Sequence, residues 1–175
     1  MNSDAQALIR PAQIGDAAAI AEIHNHAILN TTATFDVDPK TTADRVAWLH
    51  SRDPRHPVLV LEIDGTVLGW ACLTPWSEKK AYANTVEGSL YIHPDCRNRG
   101  YGRQLNTAIT DLARELGFHT LIARVAGDSD TSIHLCESFG YRHIGTMKEV
   151  GLKFGQLLDI HLYQLILTDE TQGIT

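Results

Sequence analysis

Nowhere does this sequence run apolar for the roughly 20 residues that a membrane-spanning helix needs. Its hydrophobic residues, 43% of the total, are interleaved with charged ones at 21%, the mixture of an ordinary globular domain. Cysteine is scarce. Cys72, Cys96 and Cys136 make an odd set with no metal-ligand spacing, so they read as free thiols in a reducing compartment. Histidine is plentiful, with nine, yet no H-x-x-x-H with a flanking Glu occurs. His24 and His26 fall two apart on a predicted helix and point to different faces, so no metal site is expected. Positive charge is in deficit, with 15 Lys and Arg against 21 Asp and Glu and a net charge of −6. That argues against a sequence-independent grip on nucleic acid. Both G-x-x-x-x-G-K-[ST] and G-x-G-x-x-G are missing, which removes the Walker loop and the dinucleotide fingerprint. Met1 to Gln6 is polar, without the basic and apolar zones of a signal peptide. A cytoplasmic protein without membrane or nucleic-acid partners is expected. No repeat or linker divides its 175 residues, so one domain is expected, with a core over about 7–168 and a polar tail at 169–175.

What is present is a short basic and glycine-containing loop, Arg97-Asn98-Arg99-Gly100-Tyr101-Gly102-Arg103. It follows a strand-like run, Val86 to Ile92, and precedes an amphipathic helix marked by Leu105, Ile109, Leu112, Ala113 and Leu116. Such a loop exposes backbone N–H groups, and the helix start adds the positive end of its dipole. A pyrophosphate suits that site, with the arginines at 97, 99 and 103 around it.

Around the loop, Ala7–Ala12 reads as a first strand, and Asp16 as the N-cap of a helix through about Leu29. Thr42–Arg52 reads as a second helix. Val58–Ile63 and Thr66–Leu73 form a hairpin through Asp64-Gly65, the pair that favours a type I′ turn. Thr85–His93 and Thr120–Ala126 are further strands, and Gly117 is a plausible helix stop. A short helix over Thr131–Phe139 and two strands, about Tyr141–Val150 and Leu157–Leu167, close the chain. The order predicts an α/β (α+β) domain: a mixed, mostly antiparallel sheet of six to seven strands with helices on both faces.

The R-x-x-G-x-G loop resembles the acetyl-CoA loop of the GCN5-related N-acetyltransferase (GNAT) superfamily. Other stretches bring the chain closest to the phosphinothricin and methionine sulfone/sulfoximine acetyltransferases. They are Ile9-Arg10-Pro11-Ala12, Asn25-His26-Ala27-Ile28-Leu29, Ala33-Thr34-Phe35-Asp36, Ala81-Tyr82, Thr85-Val86-Glu87, Tyr91-Ile92-His93-Pro94-Asp95, Lys153-Phe154-Gly155 and Leu158-Asp159. The resemblance implies a GNAT fold whose two central parallel strands splay around acetyl-CoA. Backbone groups of Leu90, Tyr91 and Ile92 would then pair with the pantetheine arm and supply a donor to the oxyanion. It implies Glu87 as general base, direct or through a water, and attack by the amine in a ternary complex. Phe35, Trp76 and Tyr82 would line the acceptor pocket, and a homodimer would use the final strand, Leu157–Leu167.

Three places depart from the pattern. Cys136 stands where related chains carry Tyr or His; it could protonate the CoA thiolate or simply pack in the core. Asp130 stands in place of a cofactor-binding Asn and could contact the cofactor or cap the helix. Ser77 and Ala83 occupy the places of two arginines that can grip an anionic acceptor. The expected function is acetyl-CoA-dependent transfer to the primary amine of a small amino acid or analogue. A peptide or protein amine is the alternative acceptor, and a non-catalytic CoA-binding sensor the alternative class.

Overall fold

Strands in this chain are built to be covered. Val58, Leu59, Val60 and Leu61 are all buried, the mark of a strand packed on both faces. Val58 and Val60 join Trp70, Cys72, Ile20 and Ile23 on one side. Leu59 and Leu61 join Ala71, Leu73, Val86, Leu105, Ile109 and Ala113 on the other. The computed structural model describes residues 7–127 and 129–167, and it shows the layers that this alternation demands. The strands are β1 (Leu8–Pro11), β2 (Val58–Ile63), β3 (Thr66–Pro75), β4 (Thr85–Ile92), β5 (Thr120–Ala126), β6 (Arg142–Lys153) and β7 (Gln156–Ile166). They form one sheet in the order β1-β2-β3-β4-β5-β7-β6. Helices α1 (Ala17–Asn30) and α2 (Thr42–His50) cover one face, and α3 (Tyr101–Glu115) and α4 (Asp130–Ser138) the other. No described helix is long and apolar enough to cross a membrane.

Every neighbouring pair is antiparallel except β4 and β5, which α3 connects. That parallel ladder is short: Thr85↔Thr120, Val86↔Leu121 and Glu87↔Ile122. Beyond Glu87, β4 follows β3 from Gly88↔Leu73 to Ile92↔Gly69. Beyond Ile122, β5 follows β7 from Ala123↔Tyr163 to Ala126↔Ile160. Each central strand follows its outer neighbour, and the sheet opens between them. The expected splay is therefore present, and Glu87 sits at its fork.

Local details depart from the expectation in two places. Asp16 holds the N-cap position of α1 but makes no capping hydrogen bond. Its carboxylate instead accepts from both Arg10 Nη atoms, at 2.7 and 2.9 Å, and from the Gln13 amide. β6 runs past the expected end at Val150 to Lys153, and Phe154 and Gly155 turn the chain tightly into β7 with φ of 51° and 73°. Asp64 and Gly65 do the same between β2 and β3, at 50° and 77°.

Candidate active site

Two cavities flank the splayed half of β4. One, of about 560 Å³, lies between the splayed end of β4, the last turns of α1 and the start of α4. Its wall includes Leu90, Tyr91 and Ile92, and the loop residues Arg97, Asn98, Gly100, Tyr101, Gly102 and Arg103. Gly100 takes a left-handed φ of 81° to start α3, a conformation an L side chain would strain. The first helical bond runs from the Gln104 amide to the Gly100 carbonyl, so the amides of Tyr101, Gly102 and Arg103 precede the ladder. Arg99 turns aside, donating from Nη2 to the Asp95 carbonyl at 3.2 Å. Ser129, Thr131, Ser132, His134 and Ser138 form the facing wall.

The second cavity, of about 590 Å³, lies over the sheet face that carries α1. Its floor follows from strand register. Trp70, Cys72 and Thr74 of β3 stand opposite Tyr91, Ser89 and Glu87 of β4. Arg124 and Ala126 extend the same face along β5, and Ile160 and Met147 pair across β7 and β6. Its roof is the segment Thr32–Asp36. That roof is held from below by β6, where the Lys153 ammonium donates to the Thr34 carbonyl at 2.6 Å. Phe35 lies on Gly151 so closely that a Cβ there would stand 2.0 Å from its ring. A side chain at 151 would have to push Phe35 aside. Thr32, Ala33 and Tyr91 line both cavities, so the two spaces adjoin along β4.

Glu87 faces the second cavity, its side chain 12% exposed. Arg124 clamps it in a bidentate pair, Nε to Oε1 at 2.7 Å and Nη2 to Oε2 at 2.6 Å. The register explains the contact: Arg124 lies two residues past Ile122, the partner of Glu87, and so on the same face. The carboxylate in turn holds the Arg124 guanidinium above its ordinary range. His24 closes the deep end against the Trp70 and Tyr91 rings, at 5.6 and 4.8 Å between centroids. Burial, and then the Arg45 cation in contact with its Nδ1, push the His24 imidazole down to about 4.

This geometry has close counterparts. The pattern of the Acetyltransferase (GNAT) family matches residues 20–141. The chain belongs to the acetyltransferase (GNAT) family. It is 39% identical to the L-amino acid N-acyltransferase MnaT of Escherichia coli K12, over 94% of this chain and 96% of that one. It is also 39% identical to the L-methionine sulfoximine/L-methionine sulfone acetyltransferase of Salmonella typhimurium, over 92% and 95%. The Salmonella typhimurium acetyltransferase yncA, solved with its cofactor acetyl-CoA, superposes with a TM-score of 0.90 at 38% identity, over 95% and 96%.

This GNAT chain is an N-acetyltransferase with acetyl-CoA as its acyl donor. Its first cavity fits that donor. The β4 edge past Glu87 has lost its β5 partner, and the α3 amides with Arg97 and Arg103 offer donors to a pyrophosphate. Of the residues expected around the donor, Arg99 and Asp130 are not on the cavity wall. Asp130 is the first residue of α4, and Ser129, not Asp130, holds the N-cap position and lines the cavity. Cys136 is 9% exposed in the α3 side of the core and lines neither cavity. Burial pushes its thiol up to about 11, and its position is that of a packing residue. His134, on the opposite side of α4, is the titratable side chain of that helix on the cleft wall.

Of the three aromatics expected at the acceptor pocket, Phe35 lines the second cavity, whereas Trp76 and Tyr82 do not. Trp76 follows the end of β3, and Tyr82 is 44% exposed in the turn Lys80–Tyr82. The sequence reading did not single out Arg124. Its signal was an arginine inside the otherwise apolar run Thr-Leu-Ile-Ala-Arg-Val-Ala.

Proposed function

We propose that this N-acetyltransferase acetylates the α-amino group of a small amino acid or close analogue, with Glu87 as the general base. The observation that carries the reading is the position of Glu87. Its carboxylate faces the acceptor cavity at the fork of β4 and β5, and that cavity adjoins the donor cleft further along β4, at Tyr91. The named relatives act on L-amino acids and on methionine sulfoximine and sulfone, which supports an acceptor of that size.

Bound acetyl-CoA supplies an activated acetyl group. The chain supplies the rest. The unpaired β4 edge offers its amides to the pantetheine arm and to the thioester carbonyl. Glu87 takes the ammonium proton, directly or through a water, and so frees the lone pair to attack the thioester carbonyl in a ternary complex. The C–S bond breaks, and the departing thiolate takes its proton from solvent. The roof segment over Phe35 shields the reacting amine from bulk water. Neither Ser nor Cys forms a hydrogen-bonded pair with a base on the acceptor wall among the described residues, and direct transfer needs none. The test is thiol release from acetyl-CoA against methionine sulfone, methionine sulfoximine, phosphinothricin, ordinary amino acids, polyamines and short peptides. Saturable turnover on the amino-acid members is expected. Turnover on peptides alone would move the acceptor to a protein amine.

The enzyme works as a homodimer in this reading. Ile144, Val150, Leu152, Phe154, Leu157 and Ile166 of the β6–β7 hairpin and its flanks are each at least half exposed among the described residues, an apolar surface that a second copy would cover. Light scattering should return twice the 19.3 kDa chain mass, and a monomer mass would overturn the dimer. A cytoplasmic location belongs to the same reading, and the three free thiols, which suit a reducing compartment, support it.

A further inference from the structure

We infer that Arg124 is the carboxylate anchor of the acceptor site, so that Glu87 and Arg124 together select a zwitterion. The inference rests on the amino-acid reading above and adds the residue that enforces it. Among the described residues lining the acceptor cavity, Arg124 is the one Lys or Arg. The other nearby cations are committed elsewhere: Lys153 donates to the Thr34 carbonyl, and Arg45 lies beneath His24, between the Trp48 and Trp70 rings. Arg124 itself is 51% exposed, and only its Nε and Nη2 face Glu87. A guanidinium has five N–H donors in a planar fork, so three remain for a ligand.

An α-amino acid carries its ammonium and carboxylate on a single carbon. Laid along the Glu87–Arg124 pair in the opposite sense, it sets ammonium on carboxylate and carboxylate on guanidinium, leaving no charge of the four without a partner. A simple amine meets the two acids of the cavity, Glu87 and Asp36, but leaves the guanidinium's free edge to water. A peptide N-terminus leaves that edge empty as well, because its α-carboxyl is an amide. Arg124 therefore turns a general amine site into one that favours a free amino acid.

The test compares three acceptors, methionine sulfone, its carboxamide and its decarboxylated amine, in wild type and in Arg124→Ala. Wild type should prefer methionine sulfone, and the variant should lower the ratio of kcat/KM for methionine sulfone over the amine by roughly 10- to 100-fold, mainly through KM. Equal losses on all three acceptors would assign Arg124 to the support of Glu87 alone and overturn the inference. An unchanged ratio would overturn it too, while leaving the amino-acid reading standing. No turnover of methionine sulfone or any other amino acid by wild type would overturn both. Should Arg124→Ala fail to fold, Arg124→Gln keeps most of the stem and is read by the same ratio.

Discussion

Replacing Glu87 by Gln is expected to lower kcat by about 10²- to 10⁴-fold. The amide keeps the size of the side chain and one acceptor oxygen, but it cannot take up a proton. Acetyl-CoA affinity should stay nearly unchanged, because Glu87 lies outside the donor cleft wall. Calorimetric titration with acetyl-CoA separates that outcome from a general collapse of the site. Folding should suffer little, since Arg124 is half exposed and the loss of such a pair costs about 1 kcal/mol or less. A loss smaller than about tenfold would leave Glu87 as a partner of Arg124 only. The base would then be sought at Asp36, the other carboxylate of the cavity. Loss of turnover with retained affinity also disposes of the sensor alternative, because a pure binding module has no turnover to lose.

Much of this arrangement could be read from residues. Asp64-Gly65 announced its hairpin because only a few residue pairs accept two positive φ values in succession. The α3 helix was visible in the spacing of Leu105, Ile109 and Ala113, and Gly117 ends it with a φ of 77°. Other features depended on tertiary choices that local chemistry does not encode. The sequence separates Cys136 from His134 as opposite faces of α4, but which face meets the cleft is decided by packing on β5. Asp130 is as good an N-cap by composition as Ser129, and a one-residue shift decides which side chain lines the donor cavity. Arg124 was hidden because its partner lies 37 residues away. Only the β4–β5 register brings the two together, and a parallel pairing of that kind leaves no short-range trace. Phe35 and Gly151 are joined in the same way, through a loop folding over a distant hairpin.

Wild type is expected to lose on the order of 3 kcal/mol as the pH falls from about 6.5 to about 4, from His24 alone. His24 is 4% exposed, and burial is the main cause of its low value, followed by Arg45. Asp36 pulls the other way from 3.7 Å, but it is 46% exposed and so screened by water. The sign follows from linkage. In the unfolded chain the imidazole takes a proton near 6.5, whereas the folded site refuses it until about 4, so acid favours the unfolded state across that window. Full stability is present above 6.5, and the loss is complete below 4. Asp16, whose carboxyl Arg10 holds below its ordinary 3.8, acts in a lower window and does not mask the effect. Urea midpoints at about pH 7 and pH 4.5 should fall for wild type and change much less for His24→Asn, whose amide oxygen stays near Arg45 without titrating. Equal falls in both proteins would show that the acid sensitivity lies elsewhere. A total stability of about 5–15 kcal/mol makes a 3 kcal/mol loss a large fraction of the whole. The aromatic box that closes the deep end of the acceptor cavity then also carries this acid sensitivity, because protonation there would put a second cation beside Arg45 in a dry site.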